Sequence, residues 1–209
     1  MMHEPVVVDA PVDRPVRVGL VSDTHLPESR DDLWPQAYAA LAGADVIIHG
    51  GDIHEVRFLD RLSAIAPTYS ARGNGEDGSG GRPVQPDDPR LRPEWLLDVA
   101  GALIGVVHDA AIPEWPPHFT LGAQLDAVFG RRDLAALVYG HSHVESIEVV
   151  EDVLCVNPGS PTYPHNHLTQ LGTIGEIVVD GDSVTATVWQ LTEDGVAPFD
   201  WTTPWRPRG

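Results

Sequence analysis

Three short runs set the limits on this fold: the apolar VRVGLVS (16–22) and DVIIHG (45–50), and the shorter strand TYSARG (68–73). Each is too short for a helix and the right length for a buried strand. Between them lie two segments with helical spacing. WPQAYAALAGA (34–44) aligns Trp34, Tyr38 and Leu41 on one face and carries Gly43 near its end. EVRFLDRLSAI (55–65) puts Val56, Leu59 and Ile65 on one face, with Phe58 and Leu62 beside them. The order β-α-β-α-β predicts a parallel core with helices on its faces.

The second half reads differently. GEDGSGGRPVQPDDPRLRP (75–93) is turn-rich and polar, and is expected to form a mobile loop. WLLDVAGALIGVVHD (95–109) reads as two strands around Ala100-Gly101. LGAQLDAVFGRRD (121–133) reads as a helix stopped near Gly130. ALVYG (136–140), ESIEVV (145–150) and VLCVN (153–157) are short strands, the last two joined at Glu151-Asp152. GEIVVDGDSVTATVWQL (175–191) is a hairpin signalled by Asp180-Gly181. The expected fold class is α/β: a four-layer α-β-β-α sandwich of two mixed sheets flanked by helices. Residues 1–14 are expected to be a loose leader, 15–193 the domain, and 194–209 a tail rich in Trp and Pro. Trp201 and Trp205 in that tail are expected to pack back onto the domain; the alternative is a subunit contact, which leaves a homo-oligomer open.

Charge narrows the partners. The 209 residues carry 31 acids against 13 bases, a net charge of −18, and every base is Arg. Such a surface repels phosphate backbones and argues against long nucleic acids. No apolar run approaches the roughly 18 residues of a membrane span, and the start of the chain lacks the pattern of a signal peptide. A soluble cytoplasmic protein is the expectation. The one cysteine, Cys155, sits in apolar VLCVN and reads as a core thiol.

The chemistry lies at the strand ends. Asp23 and His25 follow the first run, Gly51 and Asp52 the second, Gly73 and Asn74 the third. His108 follows GALIGVV, and His141 and His143 follow ALVYG. Strand carboxyl ends in a parallel sheet share one edge, where ligands bind. Two carboxylates, one amide and four imidazoles would meet there. That set suits Mn, Fe, Co, Ni or Zn, and seven donors exceed what one tetrahedral ion uses. Two divalent ions follow, with Asp52 the natural bridge. Gly50, Gly51, Gly73 and Gly140 remove the Cβ atoms that would crowd them. Each piece alone is ordinary: D-x-H arises by chance, and Gly-Asp is usually a turn. The ordered series carries the weight.

In that order, D-x-H, GD, GN, H and GHSH resemble the calcineurin-like metallophosphoesterases, over about residues 16–191. SDTHLP and NPGSP (157–161) are similar to the small single-domain branch. The resemblance implies Asp23, His25, Asp52 and His143 on one metal, and Asp52, Asn74, His108 and His141 on the other, with Mn the first expectation. It implies hydrolysis of a small phosphodiester or phosphomonoester, in line, by a hydroxide bridging cations about 3.5–4 Å apart. A rival on the same fold is a non-catalytic interaction scaffold or a nucleotide-sensing binder. Scaffold relatives show ligand losses, and none of the seven is missing here.

Departures from the family pattern pick out further residues. Many relatives carry GNH and then an acid, and that His serves the leaving group; here the position is Gly75, followed by Glu76. Asp52 and Asn74 would then share the catalytic centre with His54, two residues beyond Asp52, as the candidate proton donor; a surface role at a helix start is its plainer reading. Asp109 follows His108 where relatives carry Gly, and is expected either to orient a ligand or to face solvent. His165 and His167 stand where relatives often place a basic residue, and are candidates for substrate phosphate. His49, Asn157 and Ser160 read as structural.

Overall fold

The three leading runs become adjacent parallel strands, as their alternation with helical segments predicts. A computed structural model describes residues 3–11, 13–166 and 168–202. The first half holds β1 (Val6–Val8), β2 (Val16–Val21), α1 (Pro35–Leu41), β3 (Val46–His49), α2 (Leu59–Ser63), β4 (Thr68–Ala71) and α3 (Asn74–Asp77). Then come β5 (Leu91–Arg92), β6 (Trp95–Val99), β7 (Ala102–Val106), α4 (Leu121–Val128) and β8 (Ala136–Val138). The chain finishes through β9 (Glu145–Val150), β10 (Val153–Pro158), β11 (Thr173–Asp180), β12 (Ser183–Thr192) and β13 (Gly195–Pro198).

These strands make two mixed sheets. One runs β13-β12-β11-β2-β3-β4-β5, the other β1-β6-β7-β8-β10-β9. Strands β2 to β5 are mutually parallel, as are β7, β8 and β10. The hairpins β6–β7, β9–β10 and β11–β12 supply antiparallel pairs.

Alternation along the strands builds the layers. Val18, Leu20, Val46 and Ile48 from one sheet bury against Leu97, Val99, Ile104, Val106 and Val138 from the other. Their neighbours face outward: Val21 and Ile47 meet Ala37 and Leu41 of α1 and Leu59 and Leu62 of α2. On the far side Leu96 and Leu137 meet Leu121 and Leu125 of α4. Cys155 lies in that outer core, its thiol pushed up to about 12 chiefly by burial, which leaves it inert as a nucleophile.

Several expectations need correction. Val6–Val8, placed in the loose leader, pairs in parallel with β6. Gly195–Pro198, placed in the tail, continues the sheet beyond β12. The polar loop 75–93 starts within α3 and ends in β5, which pairs with β4, so both its ends are built into the fold. The single helix expected over 55–65 is a 3-10 turn at Val56–Phe58 followed by α2. Trp201 leans on Phe199, with ring centroids 4.6 Å apart, and stays 52% exposed instead of packing onto the core. Trp205 lies outside the described residues.

Candidate metal centre

The parallel strands of both sheets end on one edge, and the loops that leave them carry the chemistry. Asp23 and His25 follow β2, Asp52 follows β3, Asn74 opens α3 after β4, His108 follows β7, and His141 and His143 follow β8. Backbone conformation brings them together. Asp23, His25, Asp52, His54, His141 and His143 all have positive φ, between 47° and 75°. Such values are unfavourable for side chains bearing a Cβ, and Asp and His are among those that adopt them most readily. The turns are zipped to one another. Asp23 N–H donates to Gly51 O at 2.9 Å, His25 N–H to Asp52 O at 3.0 Å and Leu26 N–H to Ile53 O at 3.0 Å.

Two groups of donors share one carboxylate. In the first, one ligand atom from each of Asp23, His25, Asp52 and His143 lies within 4.8 Å of the others. Asp52 Oδ2 is 3.5 Å from His25 Nε2, and Asp23 Oδ1 is 3.6 Å from His143 Nε2. In the second, Asp52 Oδ1 is 3.4 Å from His108 Nε2. Asn74 Oδ1 is 3.1 Å from both His108 Nε2 and His141 Nδ1, and those two nitrogens are 3.3 Å apart. Asp52 therefore turns one oxygen to each group.

The other faces of the ligands are held. His108 Nδ1 pairs with Gly50 O at 2.8 Å, and His143 Nδ1 with Tyr163 O at 2.7 Å. A carbonyl only accepts, so both rings carry their proton on Nδ1 and, when neutral, turn an Nε2 lone pair to the carboxylates. His25 Nε2 is buried with no hydrogen-bond partner. Lone pairs facing carboxylate oxygens at 3.4–3.6 Å repel unless positive charge lies among them. The residues thus fit divalent cations.

The titrations point the same way. Burial drives the Asp23 carboxyl up to about 7. Asp52 is also desolvated, yet the His108 and His25 imidazoles beside it and a hydrogen bond from Gly75 N–H hold it well below the usual carboxylate range. Burial works against a charged His108, but Asp52 and Asp23 outweigh it and raise the ring to about 9. Burial lowers His143 to about 3. A buried anion that pulls a proton onto its neighbour is a demand for cationic charge that a metal ion meets.

Sequence reading missed several supports. Glu76 is fully buried, and its carboxylate accepts N–H bonds from Gly73 at 2.8 Å, Asp52 at 3.1 Å and His54 at 2.7 Å. Ser22 Oγ donates to Asp23 Oδ2 at 2.6 Å, and His141 N–H to Asp23 Oδ1 at 3.0 Å. A Cβ on Gly140 would come 2.6 Å from Asp23 Oδ2, so a side chain there would displace the ligand. Ser160 Oγ donates to Asp23 O at 2.7 Å, and Asn157 Nδ2 to Gly140 O at 2.8 Å; both expected structural residues do shape the site. His49 is buried, with Nδ1 accepting from Gly51 N–H and Nε2 facing Thr24 Oγ1, each at 3.1 Å.

The remaining candidates sit as follows. The ring of His54 lies 4.1 Å from that of His25, and its Nδ1 is 2.8 Å from Glu28 Oε2. A Cβ on Gly75 would meet His54 Cδ2 at 2.6 Å, so the ring occupies the space a side chain at 75 would take. His165 is exposed and stacks on His143 at 4.2 Å. Asp109 is exposed and lines a cavity beside His108, so solvent is its environment. His167 lies outside the described residues.

A two-sheet sandwich with carboxylates, an amide and imidazoles gathered at its strand ends defines a protein with a candidate metal centre. Residues 16–180 match the model of the calcineurin-like phosphoesterase superfamily domain, and the chain belongs to that family. It is 28% identical over 173 residues to a probable metallophosphoesterase of Methanothermobacter thermautotrophicus, covering 82% of this chain and 90% of that one. Among solved structures it resembles Vacuolar Protein Sorting 29 from Cryptosporidium parvum, with a TM-score of 0.70, 19% identity, and 90% and 97% of the two chains covered. The zinc-complexed Vps29 of Entamoeba histolytica has a TM-score of 0.64 at 18% identity, covering 88% and 97%. At these identities the likeness is one of fold. No helix among the described residues is long and apolar enough to cross a membrane.

Proposed function

We propose that this protein hydrolyses a small phosphodiester at a two-metal centre. The convergence of seven donors around a shared Asp52 carries the reading. Asp23, His25, Asp52 and His143 would hold one ion, and Asp52, Asn74, His108 and His141 the second. Mn²⁺ is the first choice, and Fe, Ni, Zn or Co also suits these donors. Bound there, the pair would supply Lewis acidity, which activates water and offsets charge on the phosphoryl oxygens.

The chain's own residues do the rest. Asp52 fixes the spacing of the two halves, and Asn74 adds a neutral donor, limiting negative charge where a phosphate must approach. His54, held by Glu28, would hand a proton to the departing oxygen. His165, stacked on His143, would meet a free phosphate oxygen. A diester is favoured over a monoester because the centre is flanked on two sides. A cavity of about 340 Å³ opens beside Asn74, His108 and His141, and one of about 310 Å³ beside His25 and Tyr163. Two ester arms have two places to lie. The acidic surface argues against polymeric nucleic acid.

The second reading, a binding scaffold, draws support from the fold likeness to vacuolar sorting proteins. Metal analysis followed by turnover separates the two. The expected result is two ions per chain and, with added Mn²⁺, faster hydrolysis of bis(p-nitrophenyl) phosphate than of p-nitrophenyl phosphate. Bound metal with no turnover of either ester would favour the scaffold.

A further inference from the structure

The cavity beside His25 has one aromatic wall, Tyr163, whose surroundings differ from those of an ordinary surface tyrosine. Its ring is 50% exposed, yet its backbone is fixed at both ends. Tyr163 N–H donates to Ser160 Oγ at 2.8 Å, and Tyr163 O accepts from His143 Nδ1 at 2.7 Å. Thr162 Oγ1, one residue earlier, donates to Thr24 O at 2.6 Å. The ring centroid stands 5.8 Å from His25 and 5.5 Å from His143. Its hydroxyl has no hydrogen-bond partner among the described residues.

We propose that Tyr163 determines specificity as a stacking platform: it receives a flat aromatic substituent, an aryl ring or a nucleobase, on an ester whose phosphate lies at the metal centre. This rests on the function proposed above. The platform is preorganised, because the bonds that hold it use backbone atoms and a neighbouring serine. Stacking on a fixed ring tolerates many flat groups, since each has a π-face. Tyrosine also attracts ammonium groups. Here the carboxylate that lines the cavity, Glu28, is already paired with Arg82 and His54, so the cavity favours a neutral ring over a cation.

The test compares wild-type protein with Tyr163→Ala and Tyr163→Phe after loading with Mn²⁺. Metal content is measured first and should be equal in all three. Calorimetry then gives the affinities for thymidine 5′-monophosphate, methyl phosphate and phosphocholine. Wild type should bind the nucleotide about tenfold or more tightly than methyl phosphate. Tyr163→Ala should erase that preference while leaving methyl phosphate unchanged, and Tyr163→Phe should keep it. In turnover, Tyr163→Ala should raise KM for bis(p-nitrophenyl) phosphate with kcat held. No nucleotide preference in wild type, an equal loss for all ligands in Tyr163→Ala, a loss in Tyr163→Phe as large as in Tyr163→Ala, or a preference for phosphocholine would each overturn the platform. A wild type that takes up no Mn²⁺ would count against the metal centre itself.

Discussion

The two halves of the centre share Asp52 and little else. Around Asp23 and His143 the ligands are buried: Asp23 is 0% exposed and His143 4%, and every turn that carries them is tied to a neighbour. Around Asn74 and His141 the site opens on a cavity; Asn74 is partly exposed and His141 exposed. The enclosed half has a partnerless imidazole nitrogen, His25 Nε2. In the open half, Asn74 Oδ1 lies 3.1 Å from both His108 Nε2 and His141 Nδ1. The difference suggests a division of labour. On the proposed function, the enclosed half would retain an ion and the open half would exchange groups with substrate.

That contrast can be broken by mutation. Asp52→Ala should have the largest effect, because one residue serves both halves: metal analysis should find almost no bound ion, and turnover should fall to background. Next, Asp23→Asn and His141→Ala should each cost one ion, but different ones. Under dilution, His141→Ala should retain its ion longer than Asp23→Asn does; equal loss from the two variants would erase the contrast. Chelation of the wild type comes third. Removing an ion present at a hundredfold excess over its Kd should lower stability by about 2.7 kcal/mol, a Tm drop of about 5–10 °C by scanning calorimetry.

Two smaller changes sharpen the picture. Glu76→Gln places an NH₂ against the N–H groups of Gly73, Asp52 or His54, and should weaken metal affinity about 10- to 100-fold in a competition titration. Gly75→Ala would press a methyl group on the His54 ring. It should cost about 1–3 kcal/mol in denaturant unfolding, as overpacking does, with metal content unchanged.

What could be read in the sequence follows the same line between large signals and small ones. The runs that became β2 and β3 were plain because a strand buried on both faces is a continuous apolar string. The ligands were legible because each follows a predicted strand. The elements missed, Val6–Val8, Leu91–Arg92, Asn74–Asp77 and Gly195–Pro198, have two to four residues, too few to show a period. The 3-10 turn before α2 keeps the apolar residues of a helix but not its winding. Glu76 could be noticed only as the acid after Gly75, since its role depends on N–H groups from two separate loops. The triplets Asp23-Thr24-His25, Asp52-Ile53-His54 and His141-Ser142-His143 share one conformation: the first and last residue of each adopts left-handed backbone.

The bond from His141 N–H to Asp23 Oδ1 joins residues 118 positions apart, and that from Ser160 Oγ reaches Asp23 across 137. No fragment of the chain owns the centre. A nascent polypeptide still missing the strand before His141 would offer an incoming ion only half a grip. Capture of metal would therefore certify that both sheets have closed on each other, a seal on the assembled molecule.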